Sequence, residues 1–301
     1  MAPRAWGTLA VILAATSWGT WPLFLRNAEK AASLHPSVEG AVLMAVIAAT
    51  TLPMALHAAR ERRARHAPPR TRADWSAMAW LGIGDAGNTI LFFAAYQKTT
   101  VAVAVLTHYL TPVFVALAAP LLLRERAAKS TFASVVLSFV GLALLLEPWV
   151  GPARPGDRIG ALCGAGSAVF YASNVLVQKR FGAVFTAGEM MFYHALVACP
   201  LLLSTVPAGG FAGLHGEGLA WLLAGSLLPG AFGGVVFVLG LTRIPASHAS
   251  TLTLLEPLVA VISAMIFFGE RRGPTSFFGG FLILVGAALV VSRGRETPSS
   301  V

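Results

Sequence analysis

Residues 101–123 read VAVAVLTHYLTPVFVALAAPLLL, an apolar run interrupted at 107–112 by the polar segment THYLTP. As a helix, the run is long enough to cross a hydrocarbon core about 30 Å thick. Pro112 has no amide hydrogen, so it leaves the carbonyl of His108 without its helical partner. Such groups are tolerated at membrane depth where protein or a water-filled cavity receives them. The stretch therefore predicts a bent transmembrane helix beside an internal cavity.

The whole chain has the composition of an integral membrane protein. Of its 301 residues, 56% are hydrophobic and 12% are charged, and the mean hydropathy is +0.72, which excludes the soluble class. We expect an all-α polytopic membrane protein with ten transmembrane helices. The predicted spans are 5–25, 37–58, 75–96, 101–123, 131–149, 159–178, 187–206, 217–240, 247–268 and 274–292.

Positive charge is distributed unevenly between the two sides of these spans. Of the 22 Lys and Arg residues, 15 fall on the side of the two termini and 7 on the other. The positive-inside rule then predicts that both termini are cytoplasmic. The net charge of +9 is explained without a nucleic-acid partner, although the six arginines between 60 and 72 are also suited to contact anionic membrane lipid.

An internal repeat links the two halves of the sequence. When the sequence is shifted by 145 residues, identical residues coincide: Pro112 with Pro257, Glu125 with Glu270, and Gly141 with Gly286. Five helices per copy is an odd number, so the second copy enters the membrane upside down. We expect one transport unit made of a first five-helix repeat at 1–150 and a second, inverted repeat at 151–301. Inverted repeats are typical of secondary transporters that work by alternating access.

The repeat also relates the residues around the two prolines. Pro257 frees the carbonyl of Thr253, the counterpart of His108, and Glu256 is the counterpart of Thr111. A carboxylate well inside a span is a functional candidate by default. Glu256 can carry a proton, pair with a substrate ammonium, or join two helices through hydrogen bonds. Asp85 is the second candidate for a proton or ammonium site.

Further polar and aromatic residues are candidates to line the predicted cavity. The candidate substrate-binding residues are His108, Thr111, Tyr109, Trp21, Asn88, Tyr171, Asn174 and Thr253. For the threonines, the alternative is that their hydroxyls bind the carbonyls that the prolines free. For the aromatic residues, the alternative is packing between helices or at the membrane interface.

The motifs resemble those of a known family. SWGT at 17–20 and the P-x12-E spacing from Pro112 to Glu125 and from Pro257 to Glu270 are similar to those of EamA-type exporters in the drug/metabolite transporter superfamily. The order Tyr-Leu-x-Pro at 109–112 resembles the aromatic amino acid exporters of the YddG type. The resemblance implies export of amino acids or related metabolites across a bacterial inner membrane.

Three other functions were weighed against an amino acid exporter. A proton-coupled multidrug exporter would use Glu256 as its cation and proton site. An intramembrane enzyme is disfavoured because the sequence has no HExxH or GxSxG motif and no metal-ligand spacing, so we expect neither a cofactor nor a metal. A channel is disfavoured because no carbonyl filter or ring of like charges is evident. The expected partners are a small-molecule substrate and membrane lipid, and the sequence leaves the oligomeric state open.

Overall fold

The computed structural model describes residues 3–31, 34–125, 129–151 and 154–293, and every regular element within them is helical. The α-helices are α1 (Pro3–Trp18), α2 (Trp21–Ala31), α3 (Pro36–Ala64), α4 (Arg72–Lys98), α5 (Val101–His108), α6 (Thr111–Leu122), α7 (Lys129–Leu146), α8 (Asp157–Phe181), α9 (Ala187–Leu203), α10 (Gly216–Gly225), α11 (Gly233–Leu241), α12 (Ala246–Leu252), α13 (Leu255–Phe268) and α14 (Pro274–Arg293). A π-helix, Ser226–Phe232, joins α10 to α11.

These elements group into ten helical segments in the described part of the chain. Eight segments are long and apolar enough to cross a membrane. The two others are α9, which has 17 residues, and α4, whose 27 residues include Asp85 and Asn88 near its middle. Those polar residues lower the mean hydropathy of α4 without interrupting the helix. The predicted class of all-α, ten-helix membrane protein is confirmed.

Three of the segments are interrupted at mid-span. The first breaks between Trp18 and Trp21, so the predicted continuous helix 5–25 is two helices, α1 and α2. The fourth breaks between His108 and Thr111, and the ninth between Leu252 and Leu255. The last two breaks lie just before the two prolines that the repeat superimposes, because a proline in the first turn starts a new helix more readily than it continues an old one.

The two halves interlock along their whole length. The most extensive helix contacts pair α7 with α14, α4 with α8, α3 with α9, α4 with α9, and α1 with α11, so each joins one half to the other. Small residues allow these close approaches. A Cβ atom at Gly141 of α7 would lie 2.7 Å from the carbonyl oxygen of Gly279 in α14. The helices around the breaks are thereby held in one bundle.

One glycine in each half contacts a residue that the repeat relates to the residue contacted in the other half. A Cβ atom at Gly7 of α1 would lie 3.1 Å from Cγ2 of Ile244, in the loop before α12. A Cβ atom at Gly160 of α8 would lie 2.6 Å from Cβ of Thr99, just before α5. Since 99 plus 145 is 244, these contacts are related by the repeat. The structure therefore repeats a contact between helices as well as a sequence pattern.

Candidate functional site

The two breaks in the first and ninth segments meet at Glu256. Glu256 lies in the first turn of α13, one residue after that helix begins. A Cβ atom at Gly19, in the break between α1 and α2, would lie 2.6 Å from the Glu256 carbonyl oxygen. Glycine is therefore required at position 19 for this approach, since any side chain would displace the Glu256 backbone.

Tyrosines from both halves surround the Glu256 carboxylate. Electrostatic interactions connect it to the hydroxyls of Tyr96 in α4, Tyr109 after α5 and Tyr171 in α8, and Tyr109 is within side-chain hydrogen-bonding range. Glu256, Tyr96 and Tyr171 keep partial exposure, whereas Tyr109 is buried. The Glu256 carboxylate thus lies at the junction of the two halves, beside tyrosines from both.

His108 packs against aromatic rings of this group. Its ring stacks on Tyr171, with centroids 5.5 Å apart and planes 7° from parallel, and it lies 4.4 Å from the Phe92 ring. Phe92 also packs edge-on against Tyr96, with centroids 4.8 Å apart. A ligand beside Glu256 therefore meets several aromatic faces, which suit flat or apolar groups.

The hydrogen bonds of Ser167 indicate which tautomer of His108 is present. The Ser167 hydroxyl donates to the Gly164 carbonyl at 2.7 Å, and its oxygen lies 2.9 Å from His108 Nδ1. Because the serine proton is already used, Nδ1–H of a neutral imidazole donates to Ser167 Oγ. His108 Nε2 then keeps a lone pair. Together with Glu256 it gives the site two acceptors for an N–H donor.

The two threonines at the breaks bind backbone carbonyls. Thr111 donates its hydroxyl to the His108 carbonyl at 2.8 Å and lies 3.3 Å from the Ala168 carbonyl of α8. Thr253 donates to the Ser250 carbonyl at 2.7 Å, and its own carbonyl accepts the Glu256 amide at 2.9 Å. The Thr111 contact agrees with the alternative in which a threonine hydroxyl binds the carbonyl that a proline frees, whereas the Thr253 hydroxyl binds Ser250 and not the carbonyl that Pro257 frees.

A second polar group lies beside the first, where α4 packs between α8 and α9. His194 Nε2 lies 3.9 Å from Asp85 Oδ2, and Asn174 Nδ2 donates to the Leu81 carbonyl at 3.1 Å. Four polar atoms of this group are buried without a hydrogen-bond partner among the described residues: Asp85 Oδ2, Asn88 Oδ1, Asn174 Oδ1 and His194 Nδ1. Tyr171 interacts electrostatically with both Asp85 and Glu256, so it connects the two groups.

The predicted site residue Trp21 lies elsewhere. Its ring would be 3.3 Å from a Cβ atom at Gly225, at the end of α10, so it packs between the first and eighth segments. Trp18 similarly packs against Phe237, with ring centroids 5.1 Å apart. No group of three His, Cys, Asp or Glu side chains in the described ranges is arranged to hold a metal ion.

At the end of the bundle that carries the termini, Glu125 and Lys179 hold the loop between α11 and α12. Both carboxylate oxygens of Glu125 accept the Ala246 amide, at 2.9 and 3.1 Å. Lys179 Nζ donates to the carbonyls of Leu241 and Ile244, at 3.0 and 2.7 Å. Each charge complements a helix end, the anion at the N-terminus of α12 and the cation at the C-terminus of α11. We call these contacts the Glu125 latch.

The opposite end of the bundle carries a different arrangement. Glu270, just after α13, pairs with Arg26 of α2 at 2.7 Å and with Arg272 at 3.0 Å. The hydrogen bond from Arg26, aided by both positive charges, lowers the pKa of Glu270. At Glu125, by contrast, burial raises the pKa, and the Ala246 and Ser247 amides and Lys179 oppose this rise.

Comparison with known proteins decides the family. The sequence profile of the EamA-like transporter family matches residues 5–147 and again residues 158–292. The chain belongs to the EamA-like transporter family. The double match over nearly the whole chain agrees with the repeat in sequence and structure. As an EamA-like transporter, the protein is a multi-pass membrane protein that acts on a small-molecule substrate, and it is not an enzyme.

Relatives of this EamA-like transporter include proteins with and without a named substrate. It is 26% identical to the uncharacterized transporter YwfM of Bacillus subtilis, over 96% of this chain and 95% of that protein. It is 28% identical to the threonine/homoserine exporter RhtA of Escherichia coli, over 72% of this chain and 70% of that protein. A solved crystal structure shares the fold, with a TM-score of 0.77, 19% identity, and coverage of 95% of this chain and 98% of the other.

Proposed function

We propose that this transporter exports amino acids, either aromatic or otherwise neutral, from the cytoplasm across the bacterial inner membrane. The observation that carries the proposal is the position of Glu256, at the junction of the two halves and among Tyr96, Tyr109 and Tyr171. RhtA is by name an amino acid exporter, which supports the substrate class. Both termini lie in the cytoplasm in this proposal, as the distribution of positive charge indicates.

The donors and acceptors of the site match a zwitterion. The Glu256 carboxylate and the His108 Nε2 lone pair accept hydrogen bonds from the substrate ammonium, and the Tyr96 and Tyr171 hydroxyls donate to its carboxylate, while the Tyr109 hydroxyl donates to Glu256. The rings of Phe92, His108 and Tyr171 pack against its side chain. Thr111 and Thr253 support the broken backbone instead of contacting substrate. Trp21 lies outside this proposed site, whereas Asp85, Asn88 and Asn174 border it.

Transport by alternating access requires each end of the bundle to open in turn. Lys179 and Arg26 are both cations in the second part of the first helical segment of their half, and we take them as counterparts. The offset of 145 places Glu125 on Glu270 and Ala246 on Val101. The Glu125 latch therefore has a counterpart at the opposite end, made of Glu270, Arg26 and the N-terminus of α5.

In this structure Glu270 does not bind the N-terminus of α5, so the counterpart latch is open. Glu270 and Arg26 pair with each other, and α5 is capped by the Thr100 hydroxyl, which accepts the Val103 amide at 3.2 Å. Val101 is 60% exposed, whereas Ala246 is fully buried. In the proposed cycle the Glu125 latch opens as Glu270 moves onto the Val101 amide. The substrate at Glu256 is thereby exposed first at one end and then at the other.

Counterflow in liposomes tests the proposed function. Purified protein loaded with unlabelled amino acid should take up labelled phenylalanine, leucine or threonine in a saturable and selective manner. Glu256→Gln should reduce this uptake by about tenfold or more, because a hydrogen bond to a charged group contributes about 1.5–3 kcal/mol. Glu217→Gln is the matched control, since Glu217 is exposed and accepts a hydrogen bond from the Trp221 indole at 3.1 Å. Uptake that Glu256→Gln leaves unchanged would refute the assignment.

The aromatic rings around a carboxylate also support a second candidate, a multidrug exporter for organic cations. Carboxylates and aromatic faces both attract cations. Uptake of tetraphenylphosphonium in preference to every amino acid would favour this function. A proton role for Glu256 predicts that an imposed pH gradient drives uptake in the native protein and that Glu256→Gln abolishes the response.

A further inference from the structure

A basic groove lies on the surface at the end of the bundle that carries the termini. It has a volume of about 550 Å³, and its lining includes Arg62, Arg63, His66, Arg70, Trp75 and Tyr193. Arg62 and Arg63 come from the last turn of α3, and Arg70 precedes α4. The groove is therefore built by the loop between α3 and α4 and by α9, well away from Glu256.

Arg70 is fixed in place. Its guanidinium is 7% exposed, pairs with Glu189 at 2.8 Å, and donates to the Val184 carbonyl at 3.0 Å. The same group lies 3.9 Å from the centre of the Phe185 ring. Arg70 Nε, however, is buried and has no hydrogen-bond partner among the described residues. That atom is closed to solvent, so Arg70 contributes to the groove through its fixed position and not through a free donor.

The charge of the groove matches a phosphate group. Glu189 offsets Arg70, which leaves Arg62 and Arg63 as the excess positive charge. Guanidinium groups bind phosphate through paired, charge-assisted hydrogen bonds. The Arg62 side chain already reaches across the loop to the Pro68 carbonyl at 2.6 Å, so the loop is held around the groove.

The shape of the groove favours a lipid over a soluble phosphate compound. The helices α3 and α4 both pack along α9 and barely touch each other, so they leave a cleft that opens sideways. The apolar side chains that they expose include Met54 on α3 and Ile83 on α4. Trp75 is 44% exposed at the rim, a position typical of tryptophan at the membrane interface.

We infer that this groove binds the phosphate of an anionic phospholipid headgroup, with the acyl chains in the cleft between α3 and α4. The lipid headgroup lies against Arg62 and Arg63, with Arg70 forming part of the groove wall. The site is separate from substrate transport and would be occupied in either open state of the transporter.

Native mass spectrometry of the detergent-purified protein, titrated with phosphatidylglycerol or phosphatidylcholine, tests the inference. Phosphatidylglycerol should bind more tightly, and Arg62→Gln with Arg63→Gln should weaken it roughly tenfold, because each basic residue near an anionic headgroup contributes appreciably. Arg60→Gln with Arg65→Gln removes the same charge from the same helix outside the groove and should leave binding nearly unchanged. Arg70 is not varied, because its loss would leave Glu189 buried and unpaired.

Three results would overturn the inference. Equal losses in the two double variants would show that binding depends on net charge and not on the groove. Equal affinity for the two lipids would show that no anionic headgroup site exists. Displacement of phosphatidylglycerol by millimolar glycerol 3-phosphate or inorganic phosphate would show that the groove takes a soluble phosphate instead of a lipid.

Discussion

The two ends of the bundle carry equivalent residues in different arrangements. At the end with the termini, Glu125 binds the N-terminus of α12, and Ala246 there is fully buried. At the opposite end, Glu270 pairs with Arg26, and Val101 at the start of α5 is 60% exposed. Sequence elements related by the repeat therefore do not adopt one structure. The difference indicates that one end is latched and the other is not.

Of the changes considered, Glu125→Gln should reduce the difference between the two ends of the bundle most strongly. It removes the charge that the α12 N-terminus and Lys179 share, and a hydrogen bond to a charged group contributes about 1.5–3 kcal/mol. The balance between the two open states should shift by about tenfold or more, and counterflow should slow. The measurement is counterflow together with spin-label distances between Arg124→Cys and Arg243→Cys, both at exposed positions. An unchanged distance would contradict the latch.

Glu270→Gln should have a smaller effect on the arrangement described here. Its ion pair with Arg26 is partly exposed, and such pairs contribute about 0–1 kcal/mol. The informative variant is the double change with Glu125→Gln. Because the two carboxylates latch opposite ends, removing both should return the balance of states toward that of the native protein. Strictly additive shifts in one direction would show that the two glutamates do not oppose each other.

A modest pH effect should distinguish the two glutamates further. Burial raises the pKa of Glu125 above its ordinary value of 4.5, and Arg26 lowers that of Glu270. Because the pKa of Glu125 is higher in the latched arrangement than its ordinary value, that arrangement binds the proton more tightly, so mild acid favours it over an arrangement that exposes Glu125. The Glu270 pair is present above the ordinary pKa and is lost only as pH falls through the lowered value. Spin labels at 124 and 243 should therefore stay close as pH falls toward 4.5, whereas the distance between labels at Lys98 and Arg271 should change once pH falls through the lowered pKa of Glu270. Separation of the 124 and 243 labels in mild acid would contradict this.

Much of the fold could be predicted from the sequence. Hydropathy gave the ten segments, and the shift of 145 gave the inverted repeat, because both signals depend on residue type and spacing alone. The break at Gly19 could not be predicted, since it depends on the approach of Glu256 from a distant helix. Proline marked the breaks in the fourth and ninth segments because it acts locally, through its missing amide.

Only part of the candidate site could be predicted from the sequence. His108, Tyr109, Tyr171 and Glu256 were selected as polar or aromatic residues at depth, and the structure brings them together. Tyr96 was missed, because it lies near the end of its span and only tertiary packing carries it to Glu256. Glu125 and Glu270 were recognised as a repeated motif, but their different partners depend on the conformational state, which no sequence pattern encodes.

Cross-linking tests the central claim, that equivalent latches alternate, most directly. In a background without Cys163 and Cys199, one variant combines Glu125→Cys with Ala246→Cys and a second combines Glu270→Cys with Val101→Cys. We predict that both pairs form disulfides in membranes, that each blocks counterflow, and that a transported amino acid changes their relative rates in opposite directions. If the 125–246 pair closes while the 270–101 pair never does in a protein that still transports, the alternating latches are refuted.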